Sequence, residues 1–211
     1  EGEAIIHPWI NKAIEKAQGK VEARNYDIRK NLLKYDNVQN DQRKVIYEQR
    51  KDIMQADDVS ETTKDMRNEV IEDLVISHIP PKSFPDQWDV KSLSIEVREV
   101  FNTSPPILEW ANEEGVEENI LVERISDTVS KYMEAKEKRY TPELWKKIEK
   151  SLLLQIVDQD WKEHLSSLEH LRSVIHFRAY AQRDPLNEYK TEGFGMFEDL
   201  LVNIRKNISQ L

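Results

Sequence analysis

The chain has 211 residues, 34% of them charged and 8% aromatic, with a net charge of −9, five glycines and no cysteine. Disulfides and cysteine-based zinc sites are thereby excluded, and no apolar run approaches the roughly 20 residues of a bilayer-spanning helix. Scarce Gly with abundant Glu, Lys, Leu and Gln favours an all-α fold.

The first segment, residues 1–56, opens with EGEAIIHPW and no initiator Met, and the chain stops at NIRKNISQL inside a helical pattern. This reads as a piece of a longer protein. Pro8 suits a first helical turn, where its missing N–H costs nothing. Ile14, Val21, Ile28 and Tyr35 recur every seven residues, flanked by Ile10 and Ala17, and Val38 and Val45 carry the stripe onward. No Pro interrupts Trp9 to Met54, and Gly19 is the only glycine there. The pattern predicts one helix about 70 Å long at 1.5 Å per residue, a strut against which other elements pack. A coiled-coil dimer is the alternative. Polar residues at seam positions (Arg24, Asn31, Gln42, Gln49) weigh against a long homodimer. Residues 9–54 hold 11 basic and 7 acidic side chains. Their alternating signs suit a solvated face rather than nucleic acid, which is not expected as a partner.

The second segment, residues 57–139, holds 10 basic and 20 acidic side chains. Asp58 with Glu61 three residues on resembles a capping box. Pro80, Pro81, Pro85, Pro105 and Pro106 punctuate it into short helices, and Trp88 and Trp110 are the expected anchors of a small core. So acidic a surface would be repelled by anionic lipid.

The third segment, residues 140–211, predicts two helices. Thr141 is the expected cap of the first, with Pro142 at its first position and Glu143 favourable to the dipole. Its stripe is Leu154, Val157, Trp161, Leu165, Leu168, Leu171 and Ile175. Asp184 and Pro185 start the second helix the same way, with a stripe of Phe197, Leu201, Ile204, Ile208 and Leu211. The two stripes can face each other as an antiparallel hairpin. Gly193 and Gly195 point to a close contact or a tolerated bend.

No catalytic or metal-binding residue is assigned. His164, His170 and His176 are six apart, so neighbours do not share a helix face, and H-E-x-x-H is absent. They read as structural or solvent-facing histidines. Asp158 and Asp160 point different ways. No phosphate-cradling glycine loop or nucleophile elbow is present.

The turn HFRAYAQRDP, residues 176–185, is unusually equipped: Tyr180 lies between Arg178 and Arg183, with Gln182 beside it. Asp184 and Pro185 account for the turn's exit. Arg178, Tyr180, Gln182 and Arg183 are left without a structural task.

The stretch VEARNYDIRKNLLKYDNVQNDQRKVIYEQR, residues 21–50, resembles the C-terminal part of the SecA family, the ATP-driven preprotein translocase motors of bacteria. GEAIIHPWI, SHIPP, DWKEHLSSLEHLR and YAQRDPLNEYKTEGFGMF do so too, in collinear order over essentially the whole chain. The resemblance implies that residues 1–56 are the long helix of the helical scaffold domain, 57–139 the helical wing domain, and 140–211 the two-helix finger and its return to the scaffold. It implies that ATP and Mg belong to motor domains outside this fragment, which holds no cofactor and should be inactive alone. The implied partners are the SecYEG channel, unfolded preprotein, and the parent's nucleotide-binding and cross-linking domains. The implied location is the bacterial cytoplasm, peripherally at the inner membrane. Carried over, the finger tip spans Arg178 to Asp184, with Tyr180 meeting the moving polypeptide and Arg178, Gln182 and Arg183 at the contact. Arg29, Lys30, Asp41 and Arg43 are the candidate regulatory contacts of the scaffold helix. Family members usually have Gly where this chain has Ala179; a positive φ there would strain Ala. Two alternatives stay open: a free-standing helical adaptor without a motor, and a Tyr180 that folds back over the hairpin end.

Overall fold

A computed structural model describes residues 8–80, 83–113 and 115–210. Pro81, Leu211 and the stretch before Pro8 lie outside the described residues. Within them the fold is all-α. The helices are α1 (Pro8–Gln55), α2 (Ser60–His78), α3 (Val90–Phe101), α4 (Ile107–Trp110), α5 (Glu118–Glu137), α6 (Pro142–Val174) and α7 (Pro185–Ser209). Two 3-10 segments, Pro85–Gln87 and Ile175–Ala181, complete the order. The chain divides into two compact units, Glu1–Lys44 with Ser167–Phe194, and Val45–Ser166 with Gly195–Leu211.

Helix α1 runs unbroken for 48 residues from Pro8, about 72 Å at 1.5 Å per residue. In the first unit its early apolar residues are uncovered: Ile14, Val21, Ile28, Leu32 and Leu33 are all exposed. Further along it meets the hairpin residues of the same unit. Arg172 donates to Asp36 at 2.8 Å and lies over the Tyr35 ring at 5.9 Å. Tyr35 meets Tyr189 edge-on at 5.1 Å, and burial pushes the Tyr189 hydroxyl above its ordinary pKa. Gln42, a polar seam position in the sequence, is buried and donates its side-chain amide to the Gly193 carbonyl at 2.8 Å. A Cβ at Gly193 would sit 3.4 Å from Leu168 and 3.7 Å from Val38, whereas one at Gly195 would meet nothing within 4 Å. An added Cβ at Gly193 would thus make ordinary contact with its neighbours, while Gly195 faces open space.

The second unit holds two apolar clusters. One joins α2, α3, α4 and α5 through Ile71, Leu93, Val97, Ile107, Leu121 and Ile125, all buried. Each such side chain contributes roughly 1.5–3 kcal/mol by leaving water. Trp88 and Trp110 pack against this cluster only partly buried, so aliphatic side chains form its centre and the indoles its flank. Asp89 caps α3 by accepting the Ser92 N–H, and Asn102 closes the helix in the left-handed region at φ 51°, a conformation Asn tolerates better than most residues.

The other cluster joins Ile46, Ile53, Val59, Leu153, Val157, Trp161, Phe197, Leu200, Ile204 and Ile208. Its register differs from the sequence stripes by one residue in three places. Ile46 is buried where Val45 was expected, Leu153 where Leu154 was, and Leu200 where Leu201 was. A strict seven-residue repeat drifts about 20° per heptad around a straight α-helix. On α1 the buried positions Gln42 and Ile46 are four residues apart, one helical turn, which leaves Val45 on the outer side.

The helix starts follow local chemistry. Thr141 accepts the Leu144 N–H at 3.4 Å ahead of Pro142, and Asp184 accepts the Asn187 N–H at 2.9 Å ahead of Pro185. The expected capping box at Asp58 and Glu61 does not form. Helix α2 starts at Ser60, one residue later than such a cap requires, and Val59 sits at the cap position without a side-chain bond. Asp58 instead accepts the Ser60 N–H at 2.9 Å and pairs with Lys146 of α6 at 2.7 Å. Those two contacts, Lys146 first, pull its carboxyl down to about 2, below the ordinary Asp value near 3.9. A depressed folded-state pKa stabilises above the unfolded pKa and is lost as pH falls through the folded one. Asp58→Asn should therefore lower the urea midpoint at neutral pH. The gap to the unsubstituted chain should close between about pH 4 and pH 2. A gap that stays constant across that window would show the pair to be energetically silent.

Candidate functional site

The turn between α6 and α7 belongs wholly to the first unit. Ile175 is buried and anchors its start. The backbone then tightens into the 3-10 segment, and Gln182 takes the left-handed conformation at φ 59°, ψ 24°. The Gln182 N–H donates to the Ala179 carbonyl at 3.0 Å and the Arg183 N–H to the Arg178 carbonyl at 3.4 Å. Ala179 itself is not in the positive-φ region, where Gln182 and Asn102 are the non-glycine residues among those described. The strain anticipated at Ala179 is thus carried three residues on. Gln182 has a structural task after all: it reverses the chain.

Both arginines are paired within the hairpin. Arg178 donates to Glu192 at 2.9 Å and Arg183 to Glu188 at 3.0 Å, each glutamate lying on α7. These pairs are half-exposed and each contributes little stability, about 0–1 kcal/mol. Their effect is to brace the turn from both sides. The sequence did not reveal them, because the glutamates sit 14 and 5 residues beyond their partners and meet them only once the chain has reversed.

Tyr180 is 88% exposed and Phe177 58% exposed. Tyr180 does not fold back over the hairpin end. It lies beside Phe177, ring centroids 6.4 Å apart and planes 19° from parallel, and Phe177 in turn touches His176 at 4.2 Å. Phe177 is the member that sequence reasoning missed. Its signal was the three-residue spacing to Tyr180, which places two side chains on the same side of a 3-10 turn. A pair of exposed rings offers a rigid apolar surface with one hydroxyl, which suits weak contact with many partners.

The scaffold candidates lie on α1 and not in this turn. Arg29 and Lys30 are exposed on α1. Asp41 pairs with Lys44 at 3.0 Å, and Arg43 donates to Asn40 at 3.4 Å. No hydrogen bond or ion pair among the described residues joins any of the four to Arg178, Tyr180, Gln182 or Arg183. Of the histidines, His164 is buried beside Trp161 at 5.5 Å and Phe197 at 5.8 Å, and burial lowers its pKa. His170 and His176 are exposed. Among the described residues no helix is long and apolar enough to cross a membrane.

The SecA Wing and Scaffold domain model matches residues 4–211. The protein translocase subunit SecA of Bartonella tribocorum is 56% identical over 209 residues, which is 99% of this chain and 23% of that protein. The protein translocase subunit SecA of Bartonella bacilliformis is 54% identical over 208 residues, again 99% of this chain and 23% of the relative. The chain thus spans about a quarter of the length of the curated relatives it matches.

Proposed function

The chain belongs to the SecA wing and scaffold family, and from that premise we propose that it is the non-catalytic transmission part of an ATP-driven preprotein translocase. In this reading α1 carries movements of nucleotide-binding domains elsewhere in the parent to the α6–α7 finger. The finger tip meets the translocating polypeptide at Tyr180, at the mouth of the SecYEG channel. ATP and Mg are used by the parent's motor domains. The parent works in the bacterial cytoplasm, peripherally at the inner membrane. Arg29, Lys30, Asp41 and Arg43 restrain the motor through contacts with those domains, and the uncovered apolar residues of early α1 are a surface such domains would need.

The observation that carries the reading is the near-complete exposure of Tyr180 on a braced turn. Leaving an aromatic side chain in water forgoes roughly 1.5–3 kcal/mol of burial, so its place at the tip calls for a partner. A photo-activatable residue at position 180 of a full-length translocase is expected to cross-link preprotein during ATP-driven transport, and an equivalent probe at Ser166 is not. Equal labelling from both positions, or none from 180, would remove Tyr180 from the polypeptide path.

A further inference from the structure

A cavity of about 170 Å³ lies within the second unit, lined from α2, α5, α6 and α7. Its walls are mostly apolar: Met133, Trp145, Ile148 and Leu152 line it, with Tyr140 stacked on Trp145 at 5.8 Å. An apolar cavity of about 150 Å³ is large enough to hold benzene. Two cations, Arg67 and Lys136, and one carboxylate, Glu149, also line it.

Arg67 is unusual. Its side chain is only 13% exposed, and its ionic partner is Glu149 at 3.9 Å, beyond hydrogen-bond reach. The Glu149 oxygens are already engaged: Oε2 accepts from Ser60 at 2.9 Å and Oε1 accepts from Thr63. Burial lowers the Arg67 pKa, and Glu149 acts against that shift. A guanidinium carries five N–H donors in a planar fork that matches a carboxylate. Among the described residues this mostly buried fork, beside an aromatic-walled cavity, has Glu149 at 3.9 Å and no carboxylate at hydrogen-bond distance.

We propose that this cavity is a binding site for a small aryl carboxylate, with the ring between Trp145 and Met133 and the carboxylate on the Arg67 fork. Lys136 adds a second positive charge. An adjoining cavity brings Lys64 together with Glu134 and Glu137, so the wider field is balanced and does not favour small anions as such. Selectivity comes from ring burial combined with the fork. Acetate, which has no ring, binds weakly. A bound ligand ties α2 and α5 to α6 and α7 and stiffens that junction.

The test titrates the 211-residue chain with sodium benzoate, benzamide, benzamidinium and acetate. The readout is the Met133 resonance in methyl-labelled methionine NMR, assigned through Met133→Leu. Benzoate is expected to shift that resonance saturably in the millimolar range usual for so small a ligand, and more tightly than the other three. Arg67→Gln is expected to weaken benzoate about tenfold or more. Ile148→Phe leaves Arg67 in place but fills the cavity, and should abolish the shift; it decides the matter if Arg67→Gln fails to fold. Benzamide or benzamidinium binding as well as benzoate, no saturation by benzoate, or benzoate binding that survives Ile148→Phe would each overturn the proposal.

Discussion

Tyr180→Ala in a full-length translocase is expected to cut preprotein transport about tenfold while basal ATP hydrolysis stays near the unsubstituted rate. The factor corresponds to about 1.4 kcal/mol of lost contact, well within what a Tyr at a contact centre supplies. Basal hydrolysis should hold because Tyr180 is 88% exposed and lies beside Phe177, itself exposed. Tyr180→Trp keeps a flat aromatic face and should retain most transport. Phe177→Ala should give an intermediate loss, since Tyr180 remains but loses its neighbouring ring. Measured initial rates of preprotein protection, set beside ATPase rates of the same preparations, separate these cases. Undiminished transport by the Ala variant would end the contact role of Tyr180.

The largest stability change is expected at Leu153. Leu153→Ala removes a side chain with no exposed surface from the cluster that joins α1, α6 and α7, at a cost of about 2–5 kcal/mol. The value should lie high in that range, because Leu153 also lines an existing cavity and the site cannot close around the gap. Leu154→Ala, one position on, is half-buried and should cost clearly less. Urea midpoints of the two variants give the comparison directly. Equal losses would mean that the stripe written in the sequence, not the one in the structure, faces the core.

That pair of leucines shows what could be read from the sequence and what could not. The starts of α1, α6 and α7 were legible, because Pro8, Pro142 and Pro185 and the caps Thr141 and Asp184 act within one turn of backbone. The existence of the stripes was legible from spacing. Their exact register was not, since a one-residue step is 100° of helix and only packing decides which of two adjacent leucines turns inward. The capping box at Asp58 failed for a related reason. Lys146, 88 positions later in the numbering, competes for the carboxylate, and no local pattern announces it. At the tip, Tyr180 stands out in the sequence because no structural task accounts for it, and its side chain is 88% exposed. Arg178, Gln182 and Arg183 were placed in the same class, but two are braced by α7 glutamates and one turns the chain. These are products of reversal, invisible until the hairpin closes.

The bond from Gln42 to the Gly193 carbonyl spans 151 positions of chain. On a ribosome adding about 5–20 residues per second, the first part of α1 waits on the order of ten seconds or more for the hairpin that covers Gln42. Tyr35 and Val38, which hairpin residues also meet, are bare throughout that interval. Residues 60–137, whose helices pack mainly on one another, can fold meanwhile. The order of synthesis therefore leaves this part of the long helix open to chaperones and to mispairing until the hairpin that covers it is made.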